Sequence, residues 1–265
     1  MTIRAGVTGQ PIAHSLSPVI HGAWIAAAGL DARYDALAPD GAIGFQALVA
    51  QGRRGALRGL NVTAPFKEQA LSLADQAGST ARACGSANLL VFEEGSVLAY
   101  STDGEGLLSA LAEQAPGLDL RSRPVVVLGA GGAARAAAHA LKAAGADVGV
   151  LNRTLARAHG LAEDLGVRAA DADALPEAAL VVNALSVRPE IDLSLLRSDA
   201  VLMDMTYRPL MTDFLLAGRA RGLVIVDGLA MLIGQARPSF RAFFGIEPPA
   251  IDIRAVALAA MEAVA

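Results

Sequence analysis

Short apolar runs recur along the chain, separated by stretches in which apolar positions return every three or four residues. The runs read as strands and the stretches as amphipathic helices, and their alternation predicts an α/β protein with largely parallel sheets. In the first hundred residues the strands fall at 2–8 (TIRAGVT), 32–38 (ARYDALA) and 59–63 (GLNVT), with helices near 17–29 and 40–51. A further helix is expected to begin at Pro65, because proline suits a first helical turn. Residues 87–101 read as two strands joined through Glu93-Glu94-Gly95, a hairpin. From 124 the order is PVVVLGAG, a helix over 131–145, DVGVLNR, another helix, ALVVNAL, AVLMDMTY and LVIVDG. That order describes a doubly wound parallel sheet with both faces covered. Two helices, 229–244 and 251–264, close the sequence with no strand after them. They are expected to pack back on the first domain, giving residues 1–102 plus 229–265 as one domain and 103–228 as the other.

Composition narrows the class. With 265 residues, 54% hydrophobic, 18% charged and 4% aromatic, the chain has ample material for two buried cores. A net charge of −4 without basic clusters argues against nucleic acid or an anionic membrane as partner. The single Cys84 excludes an intrachain disulfide, and the four histidines show no ligand spacing, so no metal site is expected. The opening MTIRAGVTG lacks the apolar centre of a signal peptide and no run suits a membrane span, so a cytoplasmic location is expected. Of the 22 basic residues only Lys67 and Lys142 are lysine, leaving 20 arginines. A position that keeps lysine in such a chain invites the question whether it needs an amine able to lose its proton.

Residues 127–135, VLGAGGAAR, form a strand followed by Gly129, Ala130, Gly131, Gly132 and Ala133, with Ala134 at the third small position of a dinucleotide fingerprint. Such a turn lets backbone approach a pyrophosphate, which the next helix N-terminus then receives. The next strand ends in Asn152-Arg153-Thr154, where an acidic residue would favour NAD. A basic side chain there suits the 2′-phosphate of NADP, with Arg157 one turn on as a second contact. The plainer alternative is that Asn152 or Thr154 caps the following helix and both arginines are solvated.

Four other segments concentrate polar groups: HSLSP at 14–18, NVTAPFK at 61–67, STDGEG at 101–106 and DGLAMLIGQ at 227–235. Singly, each has a structural explanation. Ser17 before Pro18 makes a good N-cap, and Thr102 or Asp103 could cap a helix. Met231 and Leu232 read most simply as core, and Gln235 could face water. Lys67 fits less easily, since a cation is disfavoured in a first helical turn.

Taken together, GQPIAHSLSP, NVTAPFK, STDGEG, GAGGAAR, NRT, DMTYRPLMT and DGLAMLIGQ, in this order, resemble the shikimate dehydrogenase family along essentially the whole chain. The resemblance implies an N-terminal α/β substrate domain completed by the C-terminal helices, and a Rossmann domain that binds NADP. It implies interconversion of 3-dehydroshikimate and shikimate by hydride transfer, on the route to chorismate and the aromatic amino acids, in a monomer or homodimer whose partner is a small-molecule substrate. It further implies that Ser15, Ser17 and Tyr207 bind the substrate carboxylate and that Thr63, Asn88, Asp103 and Gln235 bind ring hydroxyls. Lys67 and Asp103 form the implied catalytic pair, and Leu185, Gly228 and Met231 join the residues beside the cofactor. Hydride addition to a ketone develops negative charge on oxygen, so a proton donor or fixed cation is needed there; Lys67 could be either.

The chain departs from the family pattern at Ser101, Leu89, Leu185 and Arg188, where Asn, Thr, Thr and Gly are usual. These departures keep open a relative acting on quinate or another cyclohexene carboxylate, or a non-catalytic NADP-binding sensor. Trp24 is expected in the core or at the edge of a cleft.

Overall fold

The computed structural model describes residues 2–185 and 187–263; Ser186, part of the run with Leu185 and Arg188, lies outside them. The chain divides into two compact units, Met1–Thr102 with Ala236–Ala265 and Asp103–Gln235. The first contains β1 (Ile3–Thr8), α1 (Ser17–Ala27), β2 (Ala32–Leu37), α2 (Gly41–Arg53), β3 (Gly59–Val62) and α3 (Lys67–Ser72). It continues with β4 (Gln76–Ala77), α4 (Ser79–Cys84), β5 (Leu89–Glu93) and β6 (Ser96–Tyr100). The second contains α5 (Asp103–Gln114), β7 (Pro124–Leu128), α6 (Gly132–Ala143), β8 (Asp147–Leu151), α7 (Leu155–Leu165) and β9 (Arg168–Ala170). Then come β10 (Leu180–Asn183), β11 (Val201–Asp204), α8 (Asp213–Ala220) and β12 (Val224–Val226). Helix α9 (Gly228–Phe244) begins in the second unit and ends in the first, which α10 (Ile253–Glu262) completes. Among the described residues no helix is long and apolar enough to cross a membrane.

The first sheet has the order β2-β1-β3-β5-β6-β4. It is mixed: β1 pairs in parallel with β2 and β3, and β4 with β6, but β5 runs antiparallel to β3 and to β6. The β5–β6 hairpin is the cause, and its turn places Glu94 and Gly95 at φ 49° and 82°, the left-handed pair that a two-residue hairpin turn requires. One sheet face packs Leu60, Val62, Leu90 and Phe92 on Phe45 and Val49 of α2. Another cluster in this unit gathers the aromatic residues: His21 lies flat on Tyr34 at 4.0 Å, with Trp24, Phe240 and Phe243 around it. Trp24 is fully buried there, so it is core.

Two helix starts differ from expectation. Pro65 lies in a turn closed by the Phe66 N–H on the Thr63 carbonyl, with a cis Ala64–Pro65 bond, and α3 starts only at Lys67. Helix α1 is capped by Leu16 rather than Ser17; Ser17 is its first residue, and its side chain makes no cap.

The second sheet, β12-β11-β10-β7-β8-β9, is parallel throughout. Its central strand alternates cleanly: Val125 and Val127 join the core formed with α5 and α6, and Val126 and Leu128 join the opposite core with Leu202 and Phe214. Burial on both faces is why this segment reads as one continuous apolar run. Helix α5 meets α9 closely: a Cβ on Gly106 would stand 2.6 Å from the Met231 carbonyl oxygen and 2.8 Å from Gln235 Cβ. Glycine is therefore a packing requirement at that crossing.

Candidate active site

In the first unit the expected residues collect where β1 and β3 end. The two strands lie in register, Thr8 opposite Val62, and the Thr63 N–H donates to the Thr8 carbonyl. The loop after β1 folds onto that end, with the Gln10 N–H on the Ala64 carbonyl, and a side chain at Gly9 would overlap Thr63. This brings in Ser15 and Ser17. Ser15 Oγ accepts the Ser17 N–H at 3.2 Å, so its own proton remains to be donated. Lys67, half-buried, opens α3, and its carbonyl accepts the Ala87 N–H, which ties it to the residue before Asn88. Asn88 is buried. Its Oδ1 accepts the Thr102 N–H at 2.8 Å and its Nδ2 donates to Thr102 Oγ1 at 3.0 Å. That pair fixes the amide orientation and holds the residue before Asp103.

A buried polar chain underlies this group. Tyr34 donates its hydroxyl to Asn61 Oδ1 at 2.7 Å. Asn61 Nδ2 donates to Ser239 Oγ at 2.7 Å and to the Asn88 carbonyl at 3.3 Å. Burial raises the Tyr34 phenol well above its ordinary range, and the neighbouring Ser17 side chain opposes part of that rise. Burial also lowers His21, to about 3, so the ring stacked on Tyr34 is neutral.

In the second unit Asp103 is the buried first residue of α5, and Gln235 lies against Gly106 on the same helix. Tyr207 follows β11, where buried Asp204 accepts the Thr206 N–H at 2.9 Å, Thr212 Oγ1 at 2.8 Å and Asn183 Nδ2 at 3.1 Å. Gly228 packs under this turn; a Cβ there would stand 2.5 Å from the Thr206 carbonyl oxygen. Met231 is buried in the same core as Val127 and Val226.

The glycine-rich turn sits at the carboxyl end of β7. Gly129 has φ 111°, which an L side chain rarely adopts, and Leu185 would lie 3.0 Å from a Cβ there. Gly131 caps α6, an added Cβ would meet nothing within 4 Å, and Gly132 is exposed behind it. Backbone amides therefore face open space at a helix start, while Ala134 is buried against the sheet. At the end of β8 Asn152 braces the Thr154 carbonyl at 2.9 Å, and Thr154 is the N-cap of α7 without a side-chain cap bond. Arg153 and Arg157 are exposed, and among the described residues neither makes an ion pair. The turn and the two arginines fit a dinucleotide with a phosphorylated ribose: amides for the pyrophosphate, cations for the added phosphate.

A parallel Rossmann-type unit with a dinucleotide turn, joined in one chain to a mixed-sheet unit carrying serines, an asparagine and a lysine, defines a two-unit α/β protein of the dinucleotide-binding class. Residues 7–90 match the shikimate dehydrogenase substrate binding domain family, and residues 110–187 match the shikimate / quinate 5-dehydrogenase family. The chain is 55% identical to a shikimate dehydrogenase (NADP(+)) of Caulobacter vibrioides, over 97% of this chain and 95% of that protein. A crystal structure of shikimate 5-dehydrogenase from Thermus thermophilus in complex with NADP(H) and shikimate superimposes with TM-score 0.90 at 38% identity, covering 99% of this chain and 100% of that one. A quinate dehydrogenase from Corynebacterium glutamicum in complex with NAD gives TM-score 0.87 at 30% identity, covering 98% and 99%. The chain belongs to the shikimate dehydrogenase family.

Proposed function

We propose that this protein is an NADP-dependent shikimate dehydrogenase that interconverts 3-dehydroshikimate and shikimate, a step toward chorismate and the aromatic amino acids. The observation that carries the reading is 55% identity across 97% of the chain to a shikimate dehydrogenase (NADP(+)); Lys67 and Asp103 each open a helix. In this reading the first unit binds substrate and the second binds the dinucleotide, in a cytoplasmic monomer or homodimer.

Ser15 and Ser17, with Tyr207, hold the substrate carboxylate, and because Ser15 Oγ accepts the Ser17 N–H its own proton is left to donate. Thr63, Asn88 and Gln235 hold ring hydroxyls. The glycine-rich turn from Gly129 to Ala133 receives the pyrophosphate of NADP, Asn152, Arg153, Thr154 and Arg157 its adenosine side, and Leu185, Gly228 and Met231 flank the rest. Bound NADPH supplies the hydride. As the carbonyl carbon accepts that hydride, the C–O π pair moves onto oxygen, and the Lys67 ammonium stabilises the charge or gives it a proton. Asp103 accepts a hydrogen bond from a ring hydroxyl and is the second member of the proposed catalytic pair. Restoring the Lys67 proton from solvent then balances the step.

Steady-state assay with shikimate and quinate, each with NADP and with NAD, tests this reading. Turnover is expected for shikimate with NADP, with kcat/KM at least about tenfold above NAD, the scale of one charge-assisted phosphate contact. A preference for quinate, or for NAD, would move the chain to the quinate branch of its family. Absence of turnover with either acid would leave a dinucleotide-binding protein without this activity.

A further inference from the structure

Asn183 and Asp204 end neighbouring strands of the second sheet, opposite each other in the β10–β11 register, and both are buried. Neither has a part in the roles assigned above. The Asp204 carboxylate accepts the Thr206 N–H on Oδ1, and Thr212 Oγ1 and Asn183 Nδ2 on Oδ2. A carboxylate accepts and does not donate, so the end of the Asn183 amide that meets it must be the NH2 group. The amide oxygen is thereby turned the other way, where it accepts the Leu185 N–H at 3.2 Å. Asp204 thus decides which end of Asn183 faces Leu185. Leu185 Cδ2 would stand 3.0 Å from a Cβ on Gly129, the residue at φ 111° that opens the glycine-rich turn, so the leucine rests directly on that turn. The Ala184 N–H, 3.0 Å from the Leu128 carbonyl, ties the same segment to the end of β7. A leucine side chain has no polar group with which to anchor itself, and the Asn183 oxygen is what holds its N–H.

We propose that Asn183 and Asp204 are a positioning pair for the cofactor: the carboxylate orients the amide, and the amide holds Leu185 against the glycine-rich turn that receives the dinucleotide. The inference rests on the proposed function, in which Leu185 and Gly129 lie beside NADP. Both members act through Leu185 and not on the cofactor itself. With the amide reversed, its NH2 would meet the Leu185 N–H, donor against donor, and the segment would move off Gly129.

The test exchanges the two side chains. It reads the Kd of NADPH from the cofactor's fluorescence without substrate, KM for shikimate, and the thermal midpoint. In Asp204→Asn the amide oxygen keeps the Thr206 N–H, and the new NH2 faces both Thr212 and Asn183. The Thr212 hydroxyl can turn to accept, but Asn183 must give up either this contact or its bond to Leu185. The Kd is expected to rise about three- to tenfold, the worth of one hydrogen bond, with KM for shikimate changed less than about twofold. Asn183→Asp alone sets two carboxylates against each other and is expected to weaken NADPH at least as much. Asn183→Asp combined with Asp204→Asn restores both bonds with donor and acceptor exchanged. Its Kd is expected to return to within about twofold of the wild-type value, below that of either single variant. Thr212→Val removes a different bond to Asp204, and is expected to lower the thermal midpoint and leave the Kd unchanged. Should Asp204→Asn fail to fold, Asn183→Ala, which removes the hold on Leu185 and leaves Asp204 its Thr206 and Thr212 donors, is expected to show the same rise. If the single variants lower the midpoint at unchanged Kd, or the exchange recovers the midpoint but not the Kd, the positioning role is overturned and the proposed function stands. If the wild-type chain binds no NADPH, the cofactor reading fails first and the inference falls with it.

Discussion

Lys67 shows how little of a site depends on the side chain alone. Its backbone carbonyl secures Ala87, and the turn before it, closed from Phe66 to Thr63, decides that α3 starts at this residue. Replacing the amine should therefore leave the scaffold intact and remove the chemistry. Lys67→Ala is expected to lower kcat by about 10²-fold or more, the scale of general acid catalysis, with a smaller change in KM for shikimate. Stopped-flow single turnovers distinguish this from slow product release. The other lysine, Lys142, donates to the Leu165 carbonyl at 2.7 Å near the end of α6, which gives it a structural role. The scarcity of lysine thus singles out Lys67, the amine to which we assign the chemistry. Asn61 is harder to see: in the sequence it is one polar residue between Leu60 and Val62, and only folding reveals that Tyr34, Asn88 and Ser239, from distant parts of the chain, converge on it.

At the scale of elements, legibility follows length and burial. The strands of the second sheet can be read because both faces are covered and the apolar run has no gaps. Strands β4 and β9 and helix α4 leave no such mark. The two strands, Gln76–Ala77 and Arg168–Ala170, are edge strands too short to show a period, and α4 has only one and a half turns. The helix start expected at Pro65 falls instead at Lys67 because proline suits a turn as well as a first helical residue, and only tertiary contacts decide between them. The α5–α9 crossing offers a direct test of close packing. Gly106→Ala would drive a methyl into the Met231 carbonyl, and it is expected to lower stability by about 1–3 kcal/mol, measured as a shift of the urea midpoint. Because Gln235 borders the same contact, KM for shikimate should rise in that variant as well.

For the whole molecule, His21 couples stability to acidity. Among the described residues its Nδ1 is buried without a hydrogen-bond partner, and desolvation lowers its pKa from 6.5 to about 3. The unfolded chain takes up a proton near 6.5 and the folded chain only near 3, so between these values the unfolded state binds more protons. Stability from this group is complete above pH 6.5 and is lost as the pH falls, at up to about 1.4 kcal/mol per pH unit. Chemical denaturation at pH 7.5, 6.5, 5.5 and 5.0 should show this slope, and His21→Phe should flatten it. An unchanged slope in the variant would assign the acid sensitivity elsewhere.

The passage of α9 from one unit into the other has a consequence for synthesis. A ribosome releases residues 103–235 as one uninterrupted stretch, so the second unit has all its parts while the first still lacks residues 236–263. Until Ser239, Phe240 and Phe243 emerge, Asn61 Nδ2 lacks the Ser239 hydroxyl, and His21, Trp24 and Tyr34 lack the phenylalanine rings that pack on them. The segment made first is the last to be finished, and during that interval its greasy face is what a nascent-chain chaperone would meet.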